Sequence, residues 1–151
     1  VAIKETILMS TEQNKTFVLQ MYGEFDTGNL DTLEEFTVPN FVTYVPGAPG
    51  PLDRDGFKQF LLTFYSAFPD GHHVFDEVIA EEDKVVTIGS FRGTHEGELQ
   101  GIPPTGKQLK LSVIHVDRIE GGKLVEHRGV ANIMDLMQQL GVVPARGEGG
   151  G

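Results

Sequence analysis

From Gln108 to Ile119 polarity alternates residue by residue, and that period forces a strand with one buried face. Leu109, Leu111, Val113 and His115 share one parity, with Lys110, Ser112 and Arg118 on the other. His115 therefore belongs to the apolar side of a half-buried strand. His127 follows on the next strand, beyond Ile119-Glu120-Gly121-Gly122-Lys123, and the turn decides whether the two histidines meet. A two-residue Gly-Gly turn pairs His115 with Arg128, whereas a three-residue loop with Gly122 left-handed pairs His115 with His127. The three-residue loop is favoured, because Glu120 suits the first turn position and Gly122 takes positive φ at no steric cost. Both histidines are then expected on one side of the sheet.

Upstream, the periodicity is helical. Ser10-Thr11-Glu12-Gln13 forms a capping box ahead of Phe17, Val18, Met21, Tyr22 and Phe25. A short second helix is suggested by Leu30, Leu33 and Phe36, ended by Pro39. Phe41 to Tyr44 is strand-like and stops at the proline-rich loop Pro46 to Pro51. A third helix carries Phe57, Phe60, Leu61, Phe64 and Phe68 on one stripe and closes at Pro69-Asp70-Gly71. Strands are expected over about 74–80, 84–94, 108–119 and 124–132, before a last short helix through Ile133, Met134, Met137 and Leu140. Helices preceding a run of long strands predict an α+β fold: a cone in which three N-terminal helices pack on the concave face of a curved, mainly antiparallel sheet. The boundaries expected are an extension over 1–10, the cone over 11–141 and a glycine-rich tail over 142–151.

Composition restricts the partners. With 151 residues and 39% apolar content the chain is long enough to bury a core as one domain. The absence of cysteine excludes disulfides, thiolate metal sites and cysteine nucleophiles. A net charge of −10, with only 12 scattered Lys and Arg, argues against nucleic acid. No apolar run approaches a membrane span of about 20 residues, and the first residues lack the layout of a signal peptide, so a cytoplasmic protein is expected. The partner expected from this is neutral or small.

The pocket implied by the cone is expected to hold its chemistry on His115, His127 and Asp76. Asp76 alternates with Val74, Val78 and Ala80, so parity turns it inward among apolar side chains. Phe17, Phe60, Phe64 and Val113 supply apolar wall, Tyr22, Tyr44 and Gln59 supply hydrogen bonds, and Gly129 lies beside the histidines. Asp117 reads as a solvated carboxylate at a strand end. His72 and His73 fall in a loop where adjacent side chains splay apart, so no metal site is expected there. On the opposite parity Ile114, Val116 and Val130 are apolar where a solvated face is polar, which predicts a two-fold dimer.

Asn29-Leu30-Asp31-Thr32-Leu33, Ala67-Phe68-Pro69-Asp70, Arg92-Gly93-Thr94-His95-Glu96-Gly97, Gly101-Ile102-Pro103-Pro104-Thr105-Gly106 and Gly122-Lys123-Leu124-Val125-Glu126-His127 together resemble the SnoaL-like polyketide (ester) cyclases, of the nuclear transport factor two and ketosteroid isomerase superfamily. The resemblance implies a cyclase- or isomerase-type reaction that abstracts a proton next to a carbonyl of a small apolar or aromatic molecule, in the cyclases an intramolecular aldol closure without metal or organic cofactor, with His115 donating to a substrate oxygen. It also implies an acid/base aspartate directly after a Glu-His-Trp-like triplet. That triplet is Glu126-His127-Arg128 here, and Gly129 follows. Glycine can neither accept a proton nor polarise a carbonyl, so the base must lie elsewhere or the chain is a non-catalytic binding module. Epoxide hydrolysis would require an Asp facing an Arg across the pocket, and the outward parity of Arg128 argues against it.

Overall fold

The computed structural model describes residues 10–143; the extension and tail expected at the two ends lie almost wholly outside the described residues. Helix α1 (Thr11–Asp26) starts at the expected capping box, where the Ser10 hydroxyl accepts from the Gln13 N–H and the Gln13 side chain from the Ser10 N–H. Its buried stripe is Val18, Met21, Tyr22 and Phe25. The expected second helix is a 3₁₀ turn (Leu30–Thr32) running into a single turn, α2 (Leu33–Phe36). Strand β1 (Thr37–Tyr44) follows at once, and α3 (Arg54–Ala67) begins where the Asp53 carboxylate accepts from the Gly56 N–H.

Four long strands come next: β2 (His72–Glu81), β3 (Lys84–Thr94), β4 (Gln108–Glu120) and β5 (Lys123–Ala131), closed by α4 (Ile133–Gln139). They form one sheet in the order β1-β5-β4-β3-β2, antiparallel except that β1 runs parallel to β5. The helices pack on its concave face through aromatic rings, and Phe25 of α1, Phe41 of β1 and Phe68 at the end of α3 are fully buried. Each such ring contributes roughly 1.5–3 kcal/mol of burial free energy. Among the described residues no helix is long and apolar enough to cross a membrane.

Two β-bulges decide which side chains face inward. The β4-β5 hairpin turns on Gly121 (φ 58°) and Gly122 (φ 76°), with Glu120 opposite Lys123, so it is a two-residue turn and not the expected three-residue loop. Two positive φ values in succession are what a type I′ hairpin demands, and glycine supplies both. An extra residue, Val125, then shifts the register: Ile119 faces Leu124, but Arg118 faces Glu126, Asp117 faces His127 and His115 faces Gly129. The bulge restores the parity that the shorter turn would have reversed. Both histidines reach the concave face as expected, offset by one pair.

The second bulge overturns the inward placement of Asp76. Phe75 faces Gly89 and Glu77 faces Ile88, leaving Asp76 as the unpaired residue, exposed to solvent. Val78 and Ala80 below the bulge and His73 and Phe75 above it share the inner face, although their parities differ. Gly89 permits the crowding, since a Cβ there would stand 2.0 Å from the Val74 carbonyl oxygen. No other residue fits.

Candidate active site

A pocket lies between α1, α3 and the concave sheet and, counting its mouth, holds about 670 Å³ of open space. Half-buried Pro46, Phe60, Phe64, Ala131 and Ile133 surround the mouth, and buried Tyr22, His115 and His127 form the floor. This apolar enclosure with a few convergent polar groups suits a small, largely apolar ligand.

The floor is organised by two carboxylates, one fully buried and one half-buried. Asp117, fully buried on β4, accepts from the Tyr22 hydroxyl at 2.8 Å and is bonded to His127 Nδ1 at 2.7 Å. A carboxylate facing Nδ1 holds the proton on that nitrogen, which leaves Nε2 of the neutral ring as an acceptor. Nε2 opens beside Gly129: a Cβ on Gly129 would sit 3.4 Å from it and 3.4 Å from His115 Cδ2. The second carboxylate, Asp26 at the end of α1, is bonded through Oδ1 to the Tyr65 hydroxyl (2.6 Å) and His73 Nδ1 (2.8 Å), and through Oδ2 to the His73 backbone N–H (2.9 Å). Burial pushes the Asp26 carboxyl upward, but the hydrogen bond and charge of His73 outweigh it and hold it below the usual carboxylate value. Burial and the adjacent carboxylates push both phenols well above their usual value, so each stays an O–H donor.

His115 sits between the two units. Its ring stacks on Tyr22 with centroids 4.9 Å apart and lies 5.4 Å from both His127 and His73. Nδ1 is 3.3 Å from the hydroxyl of Thr87, the residue directly opposite on β3. Burial, followed by the charges of His127 and His73, pushes His115 well below the ordinary imidazole value of 6.5, so the ring is neutral at pH 7. Folding thus excludes a proton that the unfolded chain binds. Stability is expected to fall as pH drops below 6.5 toward the depressed folded value, with a slope of up to about 1.4 kcal/mol per pH unit from this ring. Urea midpoints between pH 7 and pH 5 should show a shallower decline in His115→Gln than in wild type; parallel declines would contradict the burial argument.

Of the other expected site residues, Tyr22, Phe60, Phe64, Val113 and Gly129 line the pocket with the two histidines. Phe17 does not, packing edge-on against Phe36 instead (5.3 Å). Tyr44 faces outward beneath the Arg128 guanidinium, 4.2 Å from its ring centroid, and Gln59 is exposed on α3. Asp117 and His73 were read as strand-end and loop residues, and the structure places both at the site. For His73 the signal was Gly89, since a glycine inside a strand pattern marks a bulge that resets parity. For Asp117 it was the shared face with His115.

A cone-shaped α+β fold with a polar floor in an apolar cavity defines a class of small-molecule pocket proteins. The model of the SnoaL-like polyketide cyclases matches residues 16–140, and the chain belongs to that family. It is 29% identical over 131 residues to the aklanonic acid methyl ester cyclase DauD of Streptomyces sp. (strain C5), covering 82% of this chain and 79% of that protein. It is 26% identical to the nogalonic acid methyl ester cyclase of Streptomyces nogalater, over 80% of this chain and 92% of that one. Among solved structures, AclR of Streptomyces galilaeus, a proposed hydroxylase, superposes with a TM-score of 0.82 at 27% identity, covering 90% of this chain and 85% of that one. IdmH of Streptomyces antibioticus, a proposed polyketide cyclase, superposes at 0.77 with 30% identity, covering 85% and 99%.

Proposed function

We propose that this protein closes a ring in a polyketide ester by intramolecular aldol addition, with His127 Nε2 as the base. The observation that carries the reading is the Asp117-held His127, whose unpartnered Nε2 opens beside Gly129, where the family resemblance puts an aspartate. The base removes a proton from carbon next to a carbonyl, and the resulting carbanion attacks a second carbonyl of the same molecule. A C–H bond breaks, a C–C bond forms and the attacked C=O becomes an alcohol, so the molecular formula is unchanged. Neutral His115 orients a carbonyl through its ring, and the aromatic walls hold the chain folded on itself.

Incubation with aklanonic acid methyl ester and with nogalonic acid methyl ester tests this. The expected result is a product of unchanged mass and altered chromatographic retention. Tight binding without conversion would favour the second reading, a binding module that kept the pocket and lost its base, for which Gly129 is the supporting observation. Neither binding nor conversion would remove these esters as substrates.

We also infer a two-fold dimer through the convex face of the sheet, where Ile79, Ile114 and Val130 are exposed at 52%, 43% and 65%. Apolar strand residues in that number require a cover. Sedimentation at micromolar concentration should return a dimer and Val130→Lys a monomer; a wild-type monomer would contradict the inference.

A further inference from the structure

The sheet order places His127, His115 and His73 in sequence across the concave face, on β5, β4 and β2, and both outer rings are anchored alike. Each has Nδ1 on a carboxylate that also accepts from a tyrosine hydroxyl: Asp117 with Tyr22, and Asp26 with Tyr65. Among the described residues the ring hydrogen bonds of both run through Nδ1 and none through Nε2, and both rings line the pocket. A buried histidine serving only to pack would not need its ring so firmly oriented with one nitrogen left free.

We propose that His73, oriented by Asp26, is a second catalytic residue of this pocket, whose Nε2 returns a proton to the carbonyl oxygen attacked during ring closure. The inference rests on the reading of His127 as base. Ring closure needs two proton transfers at separate places, one from carbon and one to the new alkoxide. The reaction sequence requires His127 to start neutral and His73 to start with a proton on each nitrogen, beside the Asp26 carboxylate 2.8 Å away. His127 takes the proton from carbon, the carbanion then forms the C–C bond, and His73 gives its Nε2 proton to the oxygen. His127 then loses its proton to solvent and His73 regains one. His115, kept neutral by burial between the two, can donate a hydrogen bond to the carbonyl but is a poor source of a whole proton.

His73→Asn separates these roles, because the asparagine amide can still donate to Asp26 from near the Nδ1 position while Nε2 is removed. With aklanonic acid methyl ester in D₂O, both ring closure and deuterium uptake into unreacted ester are followed. Closure is expected to slow about 10²-fold while deuterium uptake continues, since the carbanion forms but returns to ester untrapped. Asp26→Asn should show the same split more weakly. Uptake faster than that of the ester alone in D₂O certifies an intact pocket. Closure at the wild-type rate in His73→Asn would overturn the proposal, as would parallel loss of uptake and closure. Wild-type protein that shows neither uptake nor closure would instead overturn the base assignment, and this inference with it.

Discussion

His127→Asn is expected to lower the rate of ring closure by about 10³-fold, near the middle of the range for removing a positioned base. The asparagine amide reaches the Nδ1 position and can keep the hydrogen bond to Asp117, now 2.7 Å from the histidine. That retained bond matters because Asp117 is fully buried. A buried carboxylate stripped of a partner would cost several kcal/mol and confuse lost chemistry with lost fold. The thermal midpoint should therefore move little while turnover collapses. Turnover within about threefold of wild type would place the base elsewhere.

Asp117→Asn should be nearly as damaging although Asp117 lies behind the pocket lining. Its amide oxygen can still accept from Tyr22, which leaves the amide nitrogen to donate to His127 Nδ1. The imidazole proton is then driven to Nε2, and the lone pair that faces the pocket is lost. A reversed tautomer of this kind lowers turnover by up to about 10⁴-fold with geometry intact. Ligand affinity should hold, because the carboxylate is covered by its own partners. A fall in KM-type binding with unchanged kcat would contradict the orienting part assigned to Asp117.

The order of elements was legible because long runs keep their period: the aromatic stripes on α1 and α3 and the alternation along β4 were read as they stand. His115 reached the concave face for the same reason. What failed was parity carried across a bulge. Asp76 was placed inward by counting from Val74, and the extra residue opposite Gly89 put it in solvent and His73 in the pocket. His127 arrived on the expected face through compensating shifts, a shorter turn and the Val125 bulge. Asp117 was discounted as exposed for lying near the hairpin turn, yet α1 extends over that end of the sheet and Tyr22 covers it. Burial by a helix distant in sequence leaves no mark in the local pattern.

In the proposed mechanism His127 Nε2 does from β5 what an aspartate at position 129 would do. Position 129 accepts a Cβ, which would meet only ordinary contacts at 3.4 to 3.6 Å. Comparing ring-closure rates of His127→Asn with and without Gly129→Asp tests the equivalence directly. The carboxylate is expected to restore at least about tenfold of the lost rate. Equal rates in the two variants, both still binding the ester, would contradict the equivalence.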